Sequence, residues 1–106
     1  INLDSGDKKI TDFAVENLLT ALQVKKTDSN IYKQLAKAYA QNHDLGRSYL
    51  ALAQMSLMEE SLEKTKKYIK LARENLDKND KVNLLLLDDI EQFSKKLKKK
   101  NVLDSL

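Results

Sequence analysis

Asn30-Ile-Tyr-Lys-Gln-Leu-Ala-Lys-Ala-Tyr-Ala-Gln-Asn-His-Asp44 and Ser61-Leu-Glu-Lys-Thr-Lys-Lys-Tyr-Ile-Lys-Leu-Ala72 are the two stretches that decide the fold. In each, small residues (Ala, Ser, Thr) interleave with Tyr, Leu and Ile at helical spacing, so the apolar face is also thin. Thin apolar faces let helices pack closely in a stacked array. Such arrays commonly bind other proteins and rarely do chemistry.

The rest of the chain points the same way. Its 106 residues include no Pro and two Gly, and most of its aromatics are Tyr. Sheets and loop-rich folds need more turn punctuation and more β-branched residues, so an all-α fold of antiparallel helical hairpins follows. This length predicts a single domain over residues 1–106, burying about two-thirds of its unfolded surface. No apolar run reaches membrane-spanning length, and Ile1-Asn-Leu-Asp-Ser-Gly-Asp7 does not read as a signal peptide. The missing initiator Met leads to the expectation of a C-terminal piece of a longer protein. Without Cys the redox compartment stays open. The net charge of +3 is mild, and Lys far outnumbers Arg, unlike most nucleic-acid readers.

Five helices are expected. The first runs from Lys8 or Thr11 to Val24, capped by Asp7 or Thr11, with Ala14, Leu18, Ala21 and Leu22 inward. After a break at Thr27-Asp28-Ser29, the second covers Asn30 to Gln41 with Ile31, Leu35, Ala36 and Tyr39 inward. Asp44 caps a third helix, Leu45 to Met58, burying Tyr49, Leu52, Ala53 and Met55. Ser61 caps a fourth, ending near Leu76, with Leu62, Ile69 and Ala72 buried and Glu60/Lys64 and Glu63/Lys67 pairs outside. After the turn Asp77-Lys78-Asn79-Asp80, a C-terminal capping helix within residues 80–100 carries the stripe Val82, Leu86, Ile90, Phe93, Leu97. Short connections make successive helices antiparallel. Helix starts recur at about half of a 34-residue repeat, which favours a hairpin solenoid over a closed bundle.

These residues resemble tetratricopeptide repeats. Tyr32, Leu35, Ala36 and Tyr39 fall on the signature of the repeat's first helix, and Ala14, Leu18 and Ala21 on that of a second helix, echoed by Thr65, Ile69 and Ala72. More narrowly, the run from Ala14 to Ile90 resembles the C-terminal repeat domain of bacterial M48-family zinc metalloproteases of the beta-barrel assembly-enhancing type. The resembling residues are Leu35-Ala-Lys-Ala-Tyr39, Asp44-Leu-Gly-Arg-Ser-Tyr-Leu-Ala-Leu-Ala53, Leu71-Ala72 and Asp88-Asp-Ile90. Departures exist: Lys26 stands where repeats end in Pro, and His43 and Glu60 stand where hairpin turns carry Gly. The third helix also fits two registers, as second helix of one repeat and first of the next. The resemblance implies a periplasmic location, and a zinc-binding HExxH helix in a protease portion outside these residues. The repeats would recognise substrates or assembly partners. Carried over by position, Asn30, Lys33, Lys37 and Gln41 would line a peptide groove, joined by Arg47 and Gln54 where the third helix takes the first-helix register.

Chemistry within the chain finds little footing. His43 is the only His and Cys is absent, so the chain alone does not supply a zinc site, and no cofactor is expected in it. Asp88 and Asp89 diverge by about 100° on a helix, so they do not form a paired-carboxylate site. The run Lys95-Lys-Leu-Lys-Lys-Lys100 reads as a solvated helix terminus, or as a surface for anionic lipid, nucleic acid or an acidic partner. Leu84-Leu-Leu-Leu87 exceeds one stripe, so the extra leucines are either wrapped between helices or used in contact, including self-association through Leu84 and Leu85. The expectation is a non-catalytic protein- or peptide-binding domain, without nucleic acid or membrane insertion. The alternatives are a free-standing, cytoplasmic repeat scaffold or chaperone, and a basic helical module on anionic membrane or nucleic acid.

Overall fold

A computed structural model describes residues 5–24 and 28–105, with side chains from residue 9 onward. Lys26, Thr27 and the Asp7 side chain lie outside the described residues. The described chain is all-α, in the order α1 (Ser5–Val24), α2 (Ser29–Gln41), α3 (Leu45–Met58), α4 (Leu62–Asn75) and α5 (Lys81–Asp104). Each helix packs on the next, and α5 also packs on α3. Its Cα radius of gyration of 14.8 Å exceeds the about 13 Å of a closed globule of this length. The array is open.

Local chemistry explains the boundaries. Asp28 Oδ1 accepts the N–H of Asn30, Asp44 Oδ1 that of Arg47 and Asp80 Oδ1 that of Asn83. These caps start α2, α3 and α5 where short polar residues precede apolar periodicity. The ends of α2 and α3 are two copies of one device. Asp44 N–H bonds Tyr39 O and His43 N–H bonds Ala40 O; Ser61 N–H bonds Ser56 O and Glu60 N–H bonds Leu57 O. This is the Schellman pattern, and it requires a left-handed residue at the corner. His43 (φ 59°) and Glu60 (φ 58°) fill that role, at the positions where repeat hairpins carry Gly.

Three expectations about helix ends need correction. The first helix is described from Ser5, so Thr11 does not cap it and is instead buried within it. Ser61 precedes α4 but makes no side-chain cap bond. Its N–H is already committed to Ser56, and its carbonyl receives both the N–H and the hydroxyl of Thr65. No ion pair joins Glu60 to Lys64 or Glu63 to Lys67; among the described residues the pairs involve Arg47 and Arg73. Glu60 sits in the left-handed turn, outside helical register, and the Lys67 ammonium lies 5.6 Å from the Tyr68 ring centroid.

Two core clusters meet on α3. One joins Ile31, Leu35 and Ala36 of α2 to Ala51, with Leu18, Ala21 and Leu22 of α1 packed against it. The other joins Leu50, Ala53 and Leu57 to Ile69, Ala72 and Leu76, and to Leu87 and Ile90 of α5. Tyr49, Leu52 and Met55 are only half-buried, whereas Leu50, Ala51 and Leu57 are buried. The expected inner face was too narrow, because α3 is packed from more than one side. Gly46 marks the tightest approach: a Cβ there would lie 2.8 Å from the Asn75 carbonyl oxygen and 2.9 Å from Leu76 Cα. The start of α3 therefore sits against the end of α4, as antiparallel packing demands.

The stripe expected on α5 holds at Ile90 and Leu97 and is corrected at Val82, Leu86 and Phe93. Leu87 and Ile90 are buried and Leu84 and Leu97 pack beside them, while Val82 and Phe93 are 78% and 57% exposed. Leu84 belongs to the core and Leu85 is left on the surface. Asp88 faces solvent on one side and pairs with Arg73 of α4 at 3.1 Å on the other.

His43→Gly and Glu60→Gly are each expected to raise stability by about 1 kcal/mol, since the left-handed cost to a side chain exceeds the added unfolded-chain entropy. Urea midpoints check this, and unchanged or lower midpoints for both variants would refute the assignment of the corners. Gly46→Ala is expected to lose about 1–2 kcal/mol, because overpacking against backbone outweighs a helix-propensity gain of at most about 1 kcal/mol. A stabilised Gly46→Ala protein would show that the α3–α4 approach is looser than described.

Candidate functional site

A groove of about 360 Å³ opens where side chains of α1, α2, α3 and α5 converge. Its apolar lining includes Leu22, Leu35 and Ala51, and its polar groups come from Tyr32, Tyr39, Arg47, Gln54 and Asn83. The arrangement follows from chain direction. Asp12 near the start of α1 accepts a 2.8 Å hydrogen bond from Asn42 Nδ2 at the end of α2, so these helices are antiparallel. Leu50, Ala53 and Leu57 of α3 pack with Leu87 and Ile90 of α5, and Arg47, Gln54, Asn83 and Leu86 of these two helices line the groove together.

Arg47 is the groove's cation. Its Nε lies 3.5 Å from Asp44 Oδ2, and the side chain is about half exposed. This pair is too open to solvent to stabilise the fold by more than about 1 kcal/mol. It does aim the guanidinium beside Tyr39. Burial pushes the Tyr39 phenol above its usual pKa, with Arg47 acting against the shift and Asp44 reinforcing it; burial raises Tyr32 as well. Both phenols are therefore neutral hydrogen-bonding groups near neutral pH. Asp80 is held below the usual carboxylate range, chiefly by the 2.8 Å bond from Asn83 Nδ2, with smaller help from the Asn83 N–H and Arg47 against some desolvation.

The site residues expected from sequence separate into two sets. Arg47 and Gln54 line the groove. Asn30, Lys33, Lys37 and Gln41 form an exposed row on α2 and do not line it. Opposite that row, Tyr32 and Tyr39 turn inward to the groove. The sequence places Tyr39 on the inner face of its helix, gives Tyr32 no groove role and does not single out Asn83. The signal available was the spacing of Tyr32 and Tyr39, which puts two amphipathic aromatics on one helix face.

Chemically, the groove offers a guanidinium, two amides and two phenols around an apolar floor. That set can hold a carboxylate or a peptide backbone. His43 is exposed in the α2–α3 corner, away from this lining. Among the described residues no group of three or more His, Cys, Asp or Glu side chains could hold a metal ion, and no helix is long and apolar enough to cross a membrane. Comparison with protein-family models, curated proteins and solved structures finds no match to this chain.

Because the folded-state pKa of Asp80 is depressed, its contribution to stability is complete above the usual carboxylate pKa of about 4 and is lost as pH falls through the lower folded value. Asp80→Ala is expected to cost about 1 kcal/mol at about pH 7, and clearly less at about pH 2. Thermal melts at the two pH values check this; equal losses at both would assign the effect to something other than the charged cap.

Proposed function

We propose that this chain is a non-catalytic protein-recognition module of helical hairpins. On this reading it takes an extended peptide segment in the groove around Arg47. The observation that carries the proposal is the convergence of Arg47, Gln54, Asn83 and the two inward tyrosines over an apolar floor. A peptide recognised there presents a carboxylate, terminal or side-chain, to the Arg47 guanidinium. Its main chain meets the amides of Gln54 and Asn83, and an apolar side chain enters between Tyr32 and Tyr39. Charge-assisted bonds to Arg give orientation, and the apolar floor gives affinity.

We place the module in the periplasm, as the substrate- or partner-recognition arm of an M48-family zinc metalloprotease whose HExxH helix lies outside these residues. Support comes from the hairpin architecture together with Leu35-Ala-Lys-Ala-Tyr39 and the run Asp44 to Ala53. That run forms the end of the α2–α3 corner and the part of α3 that carries Arg47. An HExxH motif encoded upstream of Ile1, behind a signal peptide, would support this context. Further repeats alone would replace it with a free-standing scaffold.

Binding itself is tested by isothermal titration with a library of extended peptides bearing a free C-terminal carboxylate. Arg47→Ala is expected to weaken the selected peptides by about tenfold or more, the usual loss for a hydrogen bond to a charged group. Lys33→Ala and Lys37→Ala are expected to leave affinity unchanged. The reverse pattern would move the site to the exposed row on α2 and overturn the groove.

A further inference from the structure

A second concavity, about 1130 Å³, lies on another face of the molecule, between α4 and α5. Its floor is apolar, made by Leu62 and Ile69. One wall carries Lys66 and Lys70 from α4, and the other carries Lys95 and Lys98 from α5. Each pair sits at i,i+4 or i,i+3, so the ammonium groups on each wall lie on one helix face. One end is tied by Arg73, whose guanidinium bridges to Asp88 at 3.1 Å and Glu91 at 3.6 Å. None of the four lysines is ion-paired among the described residues, although like charges at such spacing repel. In all, six cationic and three anionic side chains line the cleft.

We propose that this cleft is a docking site for an acidic amphipathic helix of a partner protein. The occupant's apolar ridge would rest on Leu62 and Ile69, and its flanking carboxylates would meet Lys66 and Lys70 on one side and Lys95 and Lys98 on the other. Charge complementarity selects this occupant. The site is long, open at the surface, apolar below and cationic along both rims, which is the inverse of a helix with leucines on one face and glutamates beside them. A flat lipid surface would not reach a floor recessed between two helices. Nucleic acid would find no aromatic platform here, and the one guanidinium is already held by carboxylates. The inference does not depend on the Arg47 groove, which lies on other residues.

The test uses the whole chain and a fluorescein-labelled helical peptide carrying leucines at i, i+3 and i+7 with glutamates on both flanks. Fluorescence anisotropy is expected to show saturable binding that weakens with added salt. Reversing one lysine on each wall, Lys66→Glu with Lys95→Glu, is expected to weaken it by about tenfold or more. A peptide with lysines in place of the glutamates is expected to recover binding to that double variant, a rescue that damage to the fold would not give. Arg47→Ala is expected to leave this binding intact, so failure here and failure at the groove are separable. The proposal is overturned by absence of binding, by equal binding to the double variant, or by charge-swapped peptide that rescues nothing. It is equally overturned if phosphatidylserine vesicles capture the chain while the acidic peptide does not, or if light scattering traces the anisotropy to self-association.

Discussion

The structure depends on α3 being thin enough to be packed from several sides. Gly46, Ser48, Ala51, Ala53 and Ser56 are all buried along this one helix, between α2, α4 and α5. Helix axes approach to about 8 Å only where side chains are small, and Gly46 shows the limit, with backbone of the α4 terminus occupying the place of a side chain. Polar atoms enter the core as a result. The Ser48 hydroxyl is satisfied by the Ala36 carbonyl at 2.7 Å, stitching α3 to α2. The Ser56 hydroxyl is fully buried as well, with no protein hydrogen-bond partner among the described residues.

The second constraint lies in the corners. His43 and Glu60 reverse the chain by the same two hydrogen bonds, and the following residue, Asp44 or Ser61, opens the next helix at once. Two equal reversals set α2, α3 and α4 side by side in alternating direction. The third corner breaks the pattern. Leu76 leaves α4 in an extended conformation (ψ 143°), Asp77 takes the N–H of Asn79 on its side chain, and Asp80 starts α5. That longer path lets α5 lean onto α3 as well as α4. The Arg47 groove and the lysine-lined cleft open on the two sides of this lean.

What could be read from the sequence was what short-range chemistry determines. The bounds of α3 follow from Asp44 and the polar run at Glu59, and they match the structure residue for residue. The burial of α5 was legible only in part: Ile90 and Leu97 of the expected stripe pack on the core, whereas Val82, Leu86 and Phe93 are exposed. Val82, Leu86 and Phe93 keep helical period, and so do Leu84 and Leu87 with Ile90 and Leu97. Periodicity does not rank two apolar stripes on one helix. The corner at residues 76–80 ranks them, and its extended Leu76 leaves no mark in hydropathy. The site follows the same division. Arg47 and Gln54, expected from the third helix, line the groove, and the expected row Asn30, Lys33, Lys37 and Gln41 lies on the exposed face of α2. Which face of α2 meets the groove depends on how α1, α3 and α5 pack around it, and helical periodicity does not encode that. The cleft went unread because its halves lie on helices whose facing is a tertiary outcome. Lys66 and Lys70 alone look like any solvated helix face.

Helix α5 is the wall common to both concavities. Asn83 and Leu86 near its start line the groove, and Lys95 and Lys98 further along line the cleft. Described over 24 residues without Gly or Pro, it has no built-in point of bending. It is anchored along one side by Leu84, Leu87, Ile90 and Leu97, while Val82, Leu85 and Phe93 stand in solvent. The ion pairs from Arg73 to Asp88 and Glu91 are exposed and stabilise this contact weakly. The apolar stripe therefore carries the positioning, and Leu87, fully buried at its centre, contributes about 1.5–3 kcal/mol to it. The position of α5, and with it one wall of each concavity, is thus set by Leu84, Leu87, Ile90 and Leu97.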